Sequence, residues 1–259
     1  MTAVQIPTIA TPRREVRVPL TRLVSVECRK QLDTRAGRWL LITIAVVTAV
    51  MLAVLLFVDG GKHSFRELLL ATVTPQALLL PIVGILAVTS EWSQRAALVT
   101  FTLEPRRGRV AAAKTVSALL VAVIALAAAV VLAALAHLGS IAFRGAEASW
   151  SIPTSVLAGS ALMLLLGVAQ GVGFGMLLLN TPAAIVSYLV LPTAWSVLGG
   201  MVASLQTAAG WLDLTTTLQP LLEGGMTANQ WLRLGTATAV WVLLPLAAGL
   251  WRIIRSEVK

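Results

Sequence analysis

Six stretches of about twenty predominantly apolar residues, none holding Asp, Glu, Lys or Arg, constrain this chain more than any other feature. A helix needs about 20 such residues to cross a hydrocarbon core of about 30 Å. In lipid, an α-helix satisfies all its backbone N–H and C=O groups within one segment. The stretches run approximately Trp39–Val58, Leu68–Thr89, Val116–Leu138, Ile152–Leu179, Pro182–Val202 and Leu234–Trp251. Of the 259 residues, 58% are hydrophobic and 12% charged, against about 45–50% and about 25% in a soluble domain. Too little polar surface remains to cover a water-soluble particle. A soluble enzyme, a nucleic-acid-binding module and a disordered chain are thereby excluded. The expectation is an all-α polytopic membrane protein with an N-terminal region over residues 1–38 and a six-span domain over residues 39–259.

Lys and Arg in the short flanking segments set orientation. Six spans put both termini on one side, and that side collects sixteen of the twenty basic residues. The other side holds only Lys62, Arg66, Arg144 and Arg233. This asymmetry predicts cytoplasmic termini, and the expected location is a bacterial-type plasma (inner) membrane. The net charge of +9 is thus topological and implies no nucleic-acid partner. Trp39, Trp92 and Trp251 fall at the cytoplasmic span ends and Trp150, Trp211 and Trp231 at the outer ends, where tryptophan suits the interface. A single cysteine, Cys28, excludes an internal disulfide.

Outside the spans, three segments carry pattern. Pro19 can open a helix in which Val16, Leu20, Val24, Cys28 and Leu32 form one row, with Arg22, Arg29, Lys30 and Asp33 elsewhere. Such a basic amphipathic helix suits an anionic bilayer surface. Ser90–Arg109 is long enough for two to three helical turns before Pro105, followed by Arg106, Arg107 and Arg109 around Gly108. It reads as a partner surface. Thirty structureless residues are improbable, so Ala203–Arg233 is expected to form a re-entrant or broken hairpin, with breaks at Pro220 and Gly224-Gly225.

Within the spans the chemistry is sparse. No ionisable group lies near a span centre, where ion-coupled carriers place theirs, and no nucleophile–base pair or metal-ligand set is apparent. Catalytic, cofactor-binding and metal sites are therefore all read as none. Gly108–Thr115 approaches a phosphate-binding loop, but Ala113 replaces the second glycine and no strand precedes it. Lys114 reads instead as a headgroup-level anchor. Gly167, Gly171 and Gly175, four residues apart, form a groove for close helix packing. Pro81, Pro192 and Pro245 permit kinks, and Thr181 before Pro182 reads as a helix cap. Thr72, Thr74 and Gln76 in the second span, with Ser187, Tyr188, Thr193 and Ser196 in the fifth, are the polar candidates for a translocation pathway.

The order of these features resembles the type-2 membrane permeases of ATP-binding-cassette (ABC) exporters from about Leu20 onward. The local matches are VECRKQLDTRAGRWLL entering the first span and SEWSQRAALVTFTLEPRRGRVAAAK between the second and third. The resemblance implies a permease half that pairs with itself or a related permease. It also implies two copies of a separate ATPase subunit, which bind ATP and Mg. The coupling helix would fall on Glu91–Pro105, with the N-terminal helix, about Leu20–Leu32, also approaching the ATPase. Trp92, Leu98 and Phe101 would then dock in an apolar groove, with Glu91, Gln94 and Arg95 making polar contacts beside Glu104, Pro105, Arg106 and Arg107. The alternative is an ATP-independent secondary carrier or a membrane scaffold or immunity protein.

Overall fold

The structure, a computed structural model, describes residues 18–57, 60, 62–94 and 96–256. Every regular element among them is helical, and six helices are long and apolar enough to cross a membrane. The chain is an all-α polytopic membrane protein.

Helix α1 (Leu20–Asp33) follows Pro19, whose extended carbonyl accepts the first turn's N–H groups from Arg22 and Leu23. Thr34 turns the chain into α2 (Arg35–Phe57). A Cβ on Gly37 would lie 2.1 Å from the Gln31 carbonyl oxygen, so this corner requires glycine. Helix α3 (Phe65–Ser93) opens on a reciprocal cap between Ser64 and Glu67. A short α4 (Ala97–Leu103) leads to α5 (Arg107–Arg144). At 38 residues, α5 is about 57 Å long and overruns the hydrocarbon core at both ends of the expected span.

Helices α6 (Thr154–Leu178) and α7 (Thr181–Met201) are joined by Leu179 and Asn180. Asn180, not Thr181, caps α7: its backbone is extended and its side chain accepts from the Ala183 N–H at 3.0 Å. Thr181 is already helical, and its hydroxyl donates to that of Thr89 on α3 at 2.8 Å. The segment after α7 is broken as the sequence suggests, into a 3₁₀ turn (Ala203–Leu205), α8 (Gln206–Leu212), α9 (Leu214–Leu218) and α10 (Pro220–Glu223). Asp213 caps α9, Pro220 opens α10, and left-handed Gly224 closes it. The last span runs through α11 (Ala228–Thr238), a π turn (Ala239–Leu243) and α12 (Leu244–Arg255). The widened turn sits just before Pro245, which has no N–H to continue the α-helical ladder.

Helix α3 is the axis of the bundle. It packs on α6 and α5 and is buried over most of its length, whereas α2 and α7 leave most of their surface outward. The glycine row of α6 lies directly on α3: a Cβ on Gly171 would stand 2.0 Å from the Pro81 carbonyl oxygen. Gly167 faces the Pro81 ring, Gly175 faces Ile85, and Gly84 of α3 sits against the Val168 carbonyl. A second, smaller core joins Leu214, Leu218 and Leu221 to Leu234 and Ala237 of α11.

Candidate functional site at the end carrying both termini

Four charged side chains converge where α1 crosses the adjoining ends of α3 and α5. The Lys114 ammonium, on α5, donates to Glu27 of α1 at 2.8 Å and to the Ala87 carbonyl of α3 at 3.0 Å, and lies 3.1 Å from Glu91. Lys30 donates to Glu27 at 2.7 Å and to Glu91 at 2.8 Å. Beside them the Gln31 amide donates to Ser117 of α5 at 2.7 Å. Glu27, Glu91 and Lys114 are each less than a tenth exposed, while Lys30 keeps 42% of its side chain open. Burying a lone charge costs several kcal/mol. Here two ammonium groups meet two carboxylates, and the group is neutral. Burial works against the Lys30 ammonium, but hydrogen bonds and charge from Glu27 and Glu91 outweigh it and hold its pKa above the ordinary lysine value.

This geometry corrects two sequence expectations. Glu91 is not on a free loop; it belongs to the last turns of α3 and faces inward. Lys114, at 4% exposure, is not a headgroup anchor. Gly108–Thr115 lies in the opening of α5, as expected of a stretch that runs into a membrane helix, and the ammonium is occupied by Glu27, Glu91 and Ala87. Helix α1 meets the bundle through its polar face. Its buried residues are Glu27 and Gln31, Leu20 and Leu32 are exposed, and Val24 and Cys28 are intermediate. The charges presented by α3 and α5 engage the polar face of α1, leaving Leu20 and Leu32 outward.

The remaining loop residues divide into two sets. Phe101 turns inward onto the main core, stacks 6.2 Å from the Trp92 ring and lies 5.0 Å beneath the Arg107 guanidinium. Arg107 also donates to the carbonyls of Ile253 and Ser256 at the end of α12. Glu104 is buried beside Arg109, 3.7 Å away, and Arg109 reaches the Val18 carbonyl before α1. Gln94 ends α3, Pro105 separates α4 from α5 with Glu104 extended before it, and Arg106 is exposed at the start of α5. Arg95 lies outside the described residues. What α4 presents outward is apolar: Leu98, Val99 and Leu103 are 56%, 61% and 78% exposed. Of the expected docking residues, Leu98 is free to meet a partner, whereas Trp92 and Phe101 hold the loop to the bundle.

The pathway candidates differ in burial and in hydrogen-bond partner. Thr72, Thr74 and Thr193 close their hydroxyls on carbonyls of their own helices, with Thr72 buried and Thr74 and Thr193 exposed. Ser187 and Tyr188 are half-buried on α7. Ser196 donates to buried Asp213 at 2.8 Å and so ties α7 to the broken segment. Gln76 is buried with a side-chain oxygen that has no partner among the described residues.

Sequence reasoning missed Glu27, Gln31, Lys114 and Ser117 as partners. A signal existed. Glu27 and Gln31 are one helical turn apart, and Ala111, Ala113 and Ala118 surround Lys114 with side chains too short to shield a charge. No protein-family model matches the chain, and no curated protein matches it.

Proposed function

We propose that this chain is the membrane-spanning half of an ATP-driven exporter, built like the type-2 ABC permeases. In this reading two such halves pair in the plasma membrane, and each receives an ATPase subunit at its cytoplasmic face, where ATP and Mg are bound. The observation that carries the reading is α4. It is a seven-residue helix whose exposed side is Leu98, Val99 and Leu103 while its C-terminal flank is pinned to α12 by Arg107 and to the segment before α1 by Arg109. An exposed apolar surface rimmed by charge marks a protein contact, and a pinned flank lets a push on α4 reach the bundle. The sixteen-to-four distribution of basic residues supports placing this end in the cytoplasm.

Affinity purification of the full chain from its native membrane, in mild detergent, tests the proposal. The expected result is an ATPase recovered at one copy per chain. Recovery of the chain without any ATPase, still active in transport or protective in cells, would establish the ATP-independent carrier or scaffold instead.

A further inference from the structure

The four charges between α1, α3 and α5 have a consequence for motion. Glu91 and Lys114 stand on the two helices between which α4 is strung, and Glu27 and Lys30 stand on α1. Their ion pairs therefore join three elements that the sequence leaves separate: the N-terminal helix and both roots of the α4 loop. Gln31 and Ser117 add a neutral bond one turn deeper. At the ends of the apolar row of α1, Leu20 and Leu32 are exposed and contribute little to this joint, while Val24 and Cys28 are half-buried.

We propose that Glu27, Lys30, Glu91 and Lys114 form a charge-balanced latch that docks α1 on the bundle and makes α1 and α4 one moving block, with Lys114 as its central positioning residue. The latch rests on the geometry of this chain and not on the transport reading, so either can fail alone. Two properties distinguish a latch from ordinary packing. Removing one charge leaves an uncompensated charge in a buried place and opens the joint. Removing a second charge of opposite sign restores neutrality and recloses it, which packing loss would never do. In the variant Lys114→Met with Glu27→Gln, Lys30 and Glu91 remain as a neutral pair at their 2.8 Å contact.

Hydrogen exchange of the full chain in nanodiscs of zwitterionic lipid reads the joint directly, because such lipid offers the basic α1 no anionic surface to rest on. An undocked 14-residue helix is marginal by itself. Amides of Leu20–Asp33 should exchange at least about tenfold faster in Lys114→Met than in the native chain, while those of α6 stay protected. In the Lys114→Met/Glu27→Gln variant they should return to within about threefold of native. Unchanged α1 exchange in the single variant, or exchange in the double variant as fast as in the single, overturns the latch. Should Lys114→Met lose protection in α6, Glu27→Gln alone decides, since it lies outside the spans. It should speed α1 exchange severalfold, and native rates would again overturn the latch. Retention of an ATPase by these variants is a separate readout and bears on the transport reading only.

Discussion

The α3–α6 seam and the charged joint between α1, α3 and α5 hold the same bundle by opposite means. At the seam, backbone lies on backbone: Gly171 and Gly84 leave no room for a further carbon, and the contact is made of dispersion between two closely approached helices. At the joint, side chains reach across gaps between α1, α3 and α5 and meet through charge. At Gly171 and Gly84 the seam therefore has no room for an added carbon, whereas the joint depends on every charge having its partner. The seam is suited to stay shut. The joint can open, because each of its charges can be hydrated once separated.

The largest effect should come from forcing the seam. Gly171→Leu would drive a side chain into the Pro81 carbonyl, and no monodisperse protein should be recovered in detergent. Gly171→Ala should cost about 3 kcal/mol, the upper part of the usual overpacking range. Gly167→Ala, whose Cβ would meet the flexible end of the Pro81 ring at 3.2 Å, should cost less than about 1 kcal/mol. Denaturant titration in detergent measures both, and equal costs at the two positions would break the account of the seam.

At the joint, Glu91→Gln should destabilise by about 2 kcal/mol, less than for a wholly enclosed pair because Lys30 opens to solvent. The same titration checks it. A neutral result would mean that the bridging carboxylate is dispensable.

The smallest effect concerns pH. The Lys30 pKa is raised in the folded chain. The stability it contributes is therefore complete below the unfolded lysine pKa and is lost as pH rises through the folded value. The thermal midpoint should fall more steeply at strongly alkaline pH in the native chain than in Lys30→Met. Parallel curves would remove Lys30 from the joint.

The two regions also differ in how far they were legible. The seam could be read because Gly167, Gly171 and Gly175 sit within one helix at one-turn spacing, so a local pattern implies a local face. The six spans and the breaks at Pro220 and Gly224 were legible for the same reason. The joint was not, because its members come from three helices 61 and 87 residues apart in sequence, and each alone looks like an ordinary charge near a span end. Tertiary pairing also decided which face of α1 packs on the bundle, with Glu27 buried against Lys114 while Leu20 and Leu32 stay exposed. The contacts of Phe101 were hidden from the sequence for a related reason. In a seven-residue helix the aromatic residue can be either a docking residue or the tether, and only the Trp92 and Arg107 contacts distinguish them.

The central claim is that α4 meets a partner through Leu98, Val99 and Leu103 while Trp92 and Phe101 hold it in place. The most direct measurement is recovery of the ATPase with the double variant Leu98→Asp/Leu103→Asp, purified from native membrane beside the unaltered chain. Losing apolar anchors at a protein interface commonly costs about 2 kcal/mol or more, a weakening of roughly thirtyfold. The variant should insert normally, keep α6 protected from exchange, and lose the ATPase together with transport. Normal insertion with full ATPase recovery and native transport would contradict the account.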